Sequence, residues 1–160
     1  MRKIIKILIG IGIIFLLIGA ASAADRIQDV QTPYGTTCKL NIGGGLNPDE
    51  TIVNDDGQKL AFNDGYKDCI FISTTQDVSD IISDIESTGT KCMKDDIVWY
   101  HMKDQELANS YSAFGGTHLK LEDVNEFDVG FLENPNSDET IILVAGPDTI
   151  VDCFKTVEWG

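Results

Sequence analysis

Two histidines, His101 and His118, and four cysteines, Cys38, Cys69, Cys92 and Cys153, are the side chains here suited to proton transfer, nucleophilic attack or transition-metal binding. Any histidine mechanism must use one of those two positions. Alternation along the apolar run 97–102 puts His101 on the side of Ile97 and Trp99, whereas His118, beside Leu119, turns to solvent with Lys120. Asp95, Asp96 and Glu106 are the acids near His101 in the chain, so a hydrolase centred on His101 with one of them as partner is one expectation. A cysteine–histidine nucleophile pair is a related form of it. A zinc site joining both histidines to Asp96 or Glu106 lacks the usual spacing, because neither His-x-x-x-His nor a paired Cys/His ligand motif occurs. No serine stands in a G-x-S-x-G elbow, and no residue is nominated as catalytic.

The stretch 49–64 gathers Asp49, Glu50, Asp55, Asp56 and Asp64 among Asn, Gly and Pro residues, which invites a calcium reading with Asp55, Asp56 and Asp64 as ligands. An EF-hand is excluded: placing Gly57 or Gly65 at the sixth loop position puts Ile52 or Leu60 at the first, where a carboxylate is needed. An irregular loop site for calcium remains the expectation for a cofactor, set against a plain tight turn, which uses the same residue types. Gly43-Gly44-Gly45 and Gly115-Gly116 read as turns, since neither lies in a phosphate-binding motif.

The first residues supply an address. Arg2, Lys3 and Lys6 precede an apolar run and then Ala21-Ser22-Ala23, the layout of an export signal cleaved after residue 23. The alternative is an uncleaved anchor, with residues 7–24 just long enough to span a bilayer. Either way the remainder is expected outside the cytoplasm, secreted or at the cell surface. The signal carries three of 12 basic residues and none of 26 acids, so the remainder has a formal charge of −17. That charge argues against nucleic acid and anionic lipid as partners, both of which require Lys and Arg clusters. It leaves an unidentified surface or small-molecule partner.

Outside the cytoplasm four cysteines are expected to form two disulfides. The order strand 67–73, helix 77–88 and strand from 97 reads as a β-α-β passage, which would bring Cys69 and Cys92 to one sheet edge and leave Cys38 to pair with Cys153.

The elements that must position these groups follow from periodicity. Residues 24–36 read as a flexible arm ahead of a single domain over 37–160. Cys38, Leu40 and Ile42 alternate with polar residues as in a half-buried strand. A short strand near 59–62 follows, then a doubly apolar strand at 67–73. Val78, Ile81, Ile82 and Ile85 mark an amphipathic helix over 77–88, capped by Asp77 or Thr75 and ended by a left-handed Gly89. Strands are expected at 97–102, 117–121, 127–132 and 140–145, with a short helix at 104–111. Pro147 opens a last helix whose Ile150, Cys153, Phe154 and Val157 share a face. Trp99, Tyr100, Tyr111, Phe114 and Phe131 suffice to line a groove or to fill a core. The fold class is α+β: a mixed, mostly antiparallel sheet of five to seven strands against two main helices, disulfide-stabilised.

The stretch Ile141-Ile142-Leu143-Val144-Ala145-Gly146 running into 148–157 and ending Val157-Glu158-Trp159-Gly160 resembles the terminal strand–helix of small exported proteins of methanogenic archaea, some of PsbP/Mog1-like type. The resemblance implies an α-β sandwich without known catalytic residues. The functional expectation is a non-enzymatic extracytoplasmic binding or cell-surface structural module, with a calcium-binding protein and a His101 hydrolase as alternatives.

Overall fold

A computed structural model describes residues 26–42, 47–48, 50–63, 68–103 and 126–160. The alternation in Cys38–Ile42 appears as expected: β2 (Thr37–Asn41) buries Cys38 and Leu40 and exposes Lys39. Its partner is β1 (Ile27–Gln31), antiparallel to it, with Val30 opposite Cys38. Residues 27–31 are therefore not an arm. Their single inward apolar residue, Val30, is too weak a period-2 signal to reveal a strand, and pairing with β2 makes the element.

Among the described residues the main sheet has seven strands. In chain order they are β3 (Glu50–Asn54), β4 (Gly57–Asn63), β5 (Asp68–Thr74), β6 (Thr90–Lys94), β7 (Ile97–Met102), β8 (Phe127–Glu133) and β9 (Thr140–Val144), with helices α1 (Ser79–Thr88) and α2 (Pro147–Lys155). In space the order is β3-β4-β5-β9-β8-β7-β6, and every pairing is antiparallel. The fold is α+β and mostly sheet, but the sheet is antiparallel throughout instead of mixed. The expected helix at 104–111 and strand at 117–121 lie outside the described residues.

Strand order overturns the β-α-β passage. β5 is central and β6 is the far edge, four strand positions away, on the order of 19 Å at ordinary strand spacing. Cys69 on β5 and Cys92 on β6 are thus far beyond the roughly 7 Å Cα separation a disulfide tolerates. None of the four cysteines is in a disulfide in this structure, so the expectation of a disulfide framework is corrected to one of buried or half-buried thiols.

Register sorts the side chains into two faces. Phe71 opposite Leu143 and Ile141 near Ser73 point one way; Ile70 opposite Val144 and Ile72 opposite Ile142 point the other. On the first face α2 and the β1–β2 hairpin add Val30, Cys38, Leu40, Ile150, Val151, Cys153 and Phe154 to one apolar cluster. On the second, Val78 and Ile85 of the α1 segment close a cluster with Met102, Phe127 and Val129. The sheet is the middle of three layers.

Two glycines permit these layers to approach. A Cβ on Gly130 would lie 2.7 Å from the Phe154 ring and 2.8 Å from Ile150, so β8 accepts α2 because that position has no side chain. Gly89 ends α1, but in extended conformation (φ −80°, ψ 156°) and not the left-handed one expected. Its use is proximity: a Cβ there would meet Met102 Sδ at 2.6 Å. Among the described residues no helix is long and apolar enough to cross a membrane.

Candidate functional site: an acidic cleft beside a buried glutamate

His101 lies on β7 with Thr90 of β6 and Asp128 of β8 opposite it. Its Nδ1 is 3.1 Å from Asp128 Oδ1 and its Nε2 3.6 Å from Glu126 Oε2, while Lys103 Nζ approaches Glu126 Oε1 at 3.2 Å. A carboxylate does hold the ring, but not one the sequence nominated. Asp95 and Asp96 form the two-residue turn between β6 and β7, with φ of 52° and 64°, at the opposite end of β7, about 13 Å along the strand. Asp95 pairs there with Lys155 at the end of α2, whose hydrogen bond and charge hold its carboxyl below the usual carboxylate range. Glu106 and His118 lie outside the described residues. With each ring nitrogen facing a carboxylate, His101 ties the start of β8 to β7.

Cys153 is not activated either. Cys153 is fully buried, and its hydrogen bond with the Cys38 thiol, followed by burial, raises its pKa strongly, which keeps it a thiol and a poor nucleophile.

Asp55 and Asp56 make the β3–β4 hairpin turn. Asn54 Oδ1 accepts from the Asp56 N–H at 3.0 Å, and Asp56 Oδ2 accepts from Gln76 Nε2 at 3.1 Å. The Asp56 carbonyl accepts from Thr74 Oγ1 at 2.8 Å and from the Thr75 N–H at 3.0 Å. These are the contacts of a docked turn. Asp64 lies outside the described residues, and among those described no group of three His, Cys, Asp or Glu side chains is arranged to hold a metal ion.

What the structure does assemble is a cleft of about 750 Å³ between the segment leading into α1 and the β8–β9 turn. The described residues lining it include four acids, Asp77, Glu133, Asp138 and Glu139, and no Lys, Arg or His. Val78, Ile82 and Pro135 supply its apolar part. Asp77 Oδ1 accepts from the Ser79 N–H at 3.0 Å, satisfying a free amide of the first helical turn. Hydrogen bonding from the Ser79 side chain and then from its backbone N–H holds the Asp77 carboxyl below its usual range.

Glu139 is 1% exposed, and three hydroxyls converge on it. Thr32 Oγ1 and Ser73 Oγ donate to Oε1 at 2.8 Å each, and Thr36 Oγ1 donates to Oε2 at 2.6 Å. Thr36 Oγ1 also accepts from the Gly160 N–H at 3.1 Å. One buried side chain thus joins β5, the β1–β2 turn, the start of β9 and the C-terminal residue. A buried polar group costs little only when satisfied in this way. Sequence reasoning missed it, although a serine in the apolar run Ile70–Ser73 and a glutamate directly before the run 140–145 are the available signals.

Of the groove and the core readings of the aromatics, the described members follow the core. Trp99 is buried in the first cluster, and Tyr100 stacks on Phe131 at 6.1 Å against the second. Comparison of the chain with protein-family models, with curated proteins and with solved structures returned no match.

Proposed function

We propose that this chain is an extracytoplasmic, non-catalytic binding module whose ligand site is the cleft between the entry to α1 and the β8–β9 turn. The carrying observation is the lining: among the described residues, four acids and no basic side chain surround a space of small-ligand size. Such a surface attracts cationic groups and repels polyanions, in keeping with the −17 charge that follows a signal ending at residue 23. Two of the acids are already occupied structurally: Asp77 holds the helix start and Glu139 is saturated by hydroxyls. Both carboxylates are engaged in holding the structure together, which favours recognition over catalysis. Glu133 and Asp138 are the acids left to meet a ligand.

The test is titration with spermidine and with a short lysine peptide, followed by amide chemical shifts, with an oligosaccharide as the neutral probe. Saturable shifts confined to residues 75–82 and 133–140, weakened by added salt and by Glu133→Gln with Asp138→Asn, are expected. Shifts spread over the whole surface, or unchanged in the double variant, would refute the cleft as the site.

A further inference from the structure

We propose that copies of this chain associate head to tail through the two edges of the main sheet, β3 of one copy adding to β6 of the next. Neither strand lines the acidic cleft, so the association does not rest on ligand binding there. Among the described residues three large apolar side chains are strongly exposed, and two of them mark these edges: Val53 on β3, 59% exposed, and Met93 on β6, 66% exposed. An edge strand also presents a row of backbone N–H and C=O groups without ladder partners, and among the described residues no strand covers the outer side of either.

The two edges differ in charge. β6 carries Lys91 and Lys94, both exposed, and among the described residues only Lys94 of the two is ion-paired, with Asp148. β3 contains no basic residue and runs into exposed Asp55 and Asp56 at its hairpin turn. Two β6 edges would set lysine against lysine, which opposes a symmetric pair, whereas a β3 edge offers those lysines carboxylates. Register makes the match specific. At opposite ends of a seven-stranded antiparallel sheet, β3 and β6 run in the same direction. Antiparallel addition therefore turns the incoming copy over, by a half-turn about an axis across the strands. Val53 lies on the first face, with Gln58 and Ser73, and Met93 on the second, with Val98 and Tyr100, so the half-turn brings the two onto one side. With Met93 opposite Val53, Lys91 comes opposite Asp55. Parallel addition would leave Val53 and Met93 on opposite sides. Each added copy keeps one free edge, so the contact does not close and the assembly propagates.

The exported protein is followed by sedimentation equilibrium in about 0.15 M salt, where a screening length of about 8 Å limits repulsion between acidic copies. One strand pair is small against a standard interface, so the expected association is weak: the average mass at least doubles between about 10 μM and 1 mM protein. Val53→Glu and Met93→Glu, each at an exposed position, are expected to leave the thermal midpoint unchanged and to be monomeric on their own. Their equimolar mixture is expected to form dimers and stop there, because β3 of the Met93→Glu protein and β6 of the Val53→Glu protein remain intact and make a single contact. Lys91→Glu is expected to weaken association of the parent, and Asp55→Lys in the same chain to restore it. A parent protein that stays monomeric, dimers from either glutamate variant alone, a mixture that stays monomeric, or no rescue by Asp55→Lys would overturn the proposal.

Discussion

Replacing Glu139 by leucine is expected to destabilise the fold more than any other single change around the cleft. The side chain accepts three hydrogen bonds, from Thr32, Ser73 and Thr36, at a site 1% exposed. Leucine removes the acceptor and leaves three buried hydroxyls without it. At about 1 to 3 kcal/mol for each unsatisfied buried donor, the loss is roughly 3 to 9 kcal/mol, a large part of the roughly 5 to 15 kcal/mol that holds an ordinary domain. Ser73→Ala removes one donor while Glu139 keeps the other two, so its cost is about 1 kcal/mol. Glu139→Gln keeps one oxygen acceptor but turns an amide N–H toward a hydroxyl, and falls between them. The pair Glu139→Leu with Ser73→Ala should cost less than the sum of its members, because deleting both ends of a bond leaves nothing unsatisfied. Urea unfolding of the four proteins measures this through the midpoints, with an unchanged slope reporting that the denatured state is the same. A Glu139→Leu loss below about 1 kcal/mol, or strict additivity in the cycle, would refute the network as a structural keystone.

Two further outcomes follow from geometry. Gly130→Ala forces a methyl against Phe154 and Ile150 and should cost about 1 to 3 kcal/mol by thermal unfolding, partly relieved by Phe154→Leu. Gly57→Ala should be worse, since its Cβ would sit 2.1 Å from the Ser73 backbone oxygen at a φ of +152°, where no flexible side chain can yield. Asp77 has its carboxyl pKa depressed by Ser79, so its contribution is present above the unfolded value near 4 and lost as pH falls through the lower folded value. Denaturation midpoints measured from about pH 6 downward should therefore fall less steeply for Asp77→Ala than for the parent protein, and parallel curves would contradict that assignment.

Much of the local structure was legible because periodicity reports burial directly. The alternation at Cys38–Ile42, the doubly apolar runs of β5, β7 and β9, and the stripe Val78–Ile81–Ile82–Ile85 all became the elements they predict. β6 was missed because Thr90–Lys94 is an edge strand with little buried surface, and its Lys91 and Lys94 leave no apolar alternation. The candidate site was less legible. His101 was matched to the acids nearest in the chain, yet its partner Asp128 stands 27 residues away, brought opposite by β7–β8 register. Glu139 is separated from its hydroxyl donors by 66, 103 and 107 residues.

The sequence by itself determined the strands and helices that carry a clear apolar period, such as β2, β5, β7, β9 and α1, and which side of each turns inward, since those depend on residues two, three or four positions apart. Only the tertiary structure decided that β5 and β6 lie four strands apart, so that Cys69 cannot reach Cys92 and is instead buried in one apolar cluster with Cys38 and Cys153. It likewise decided that an isolated glutamate, one serine and two threonines become a buried network beside an acidic cleft. The physical reason is shared. Strand order and side-chain convergence are set by packing two apolar faces of one sheet against different layers, and no local pattern encodes which distant neighbour will satisfy a buried polar group.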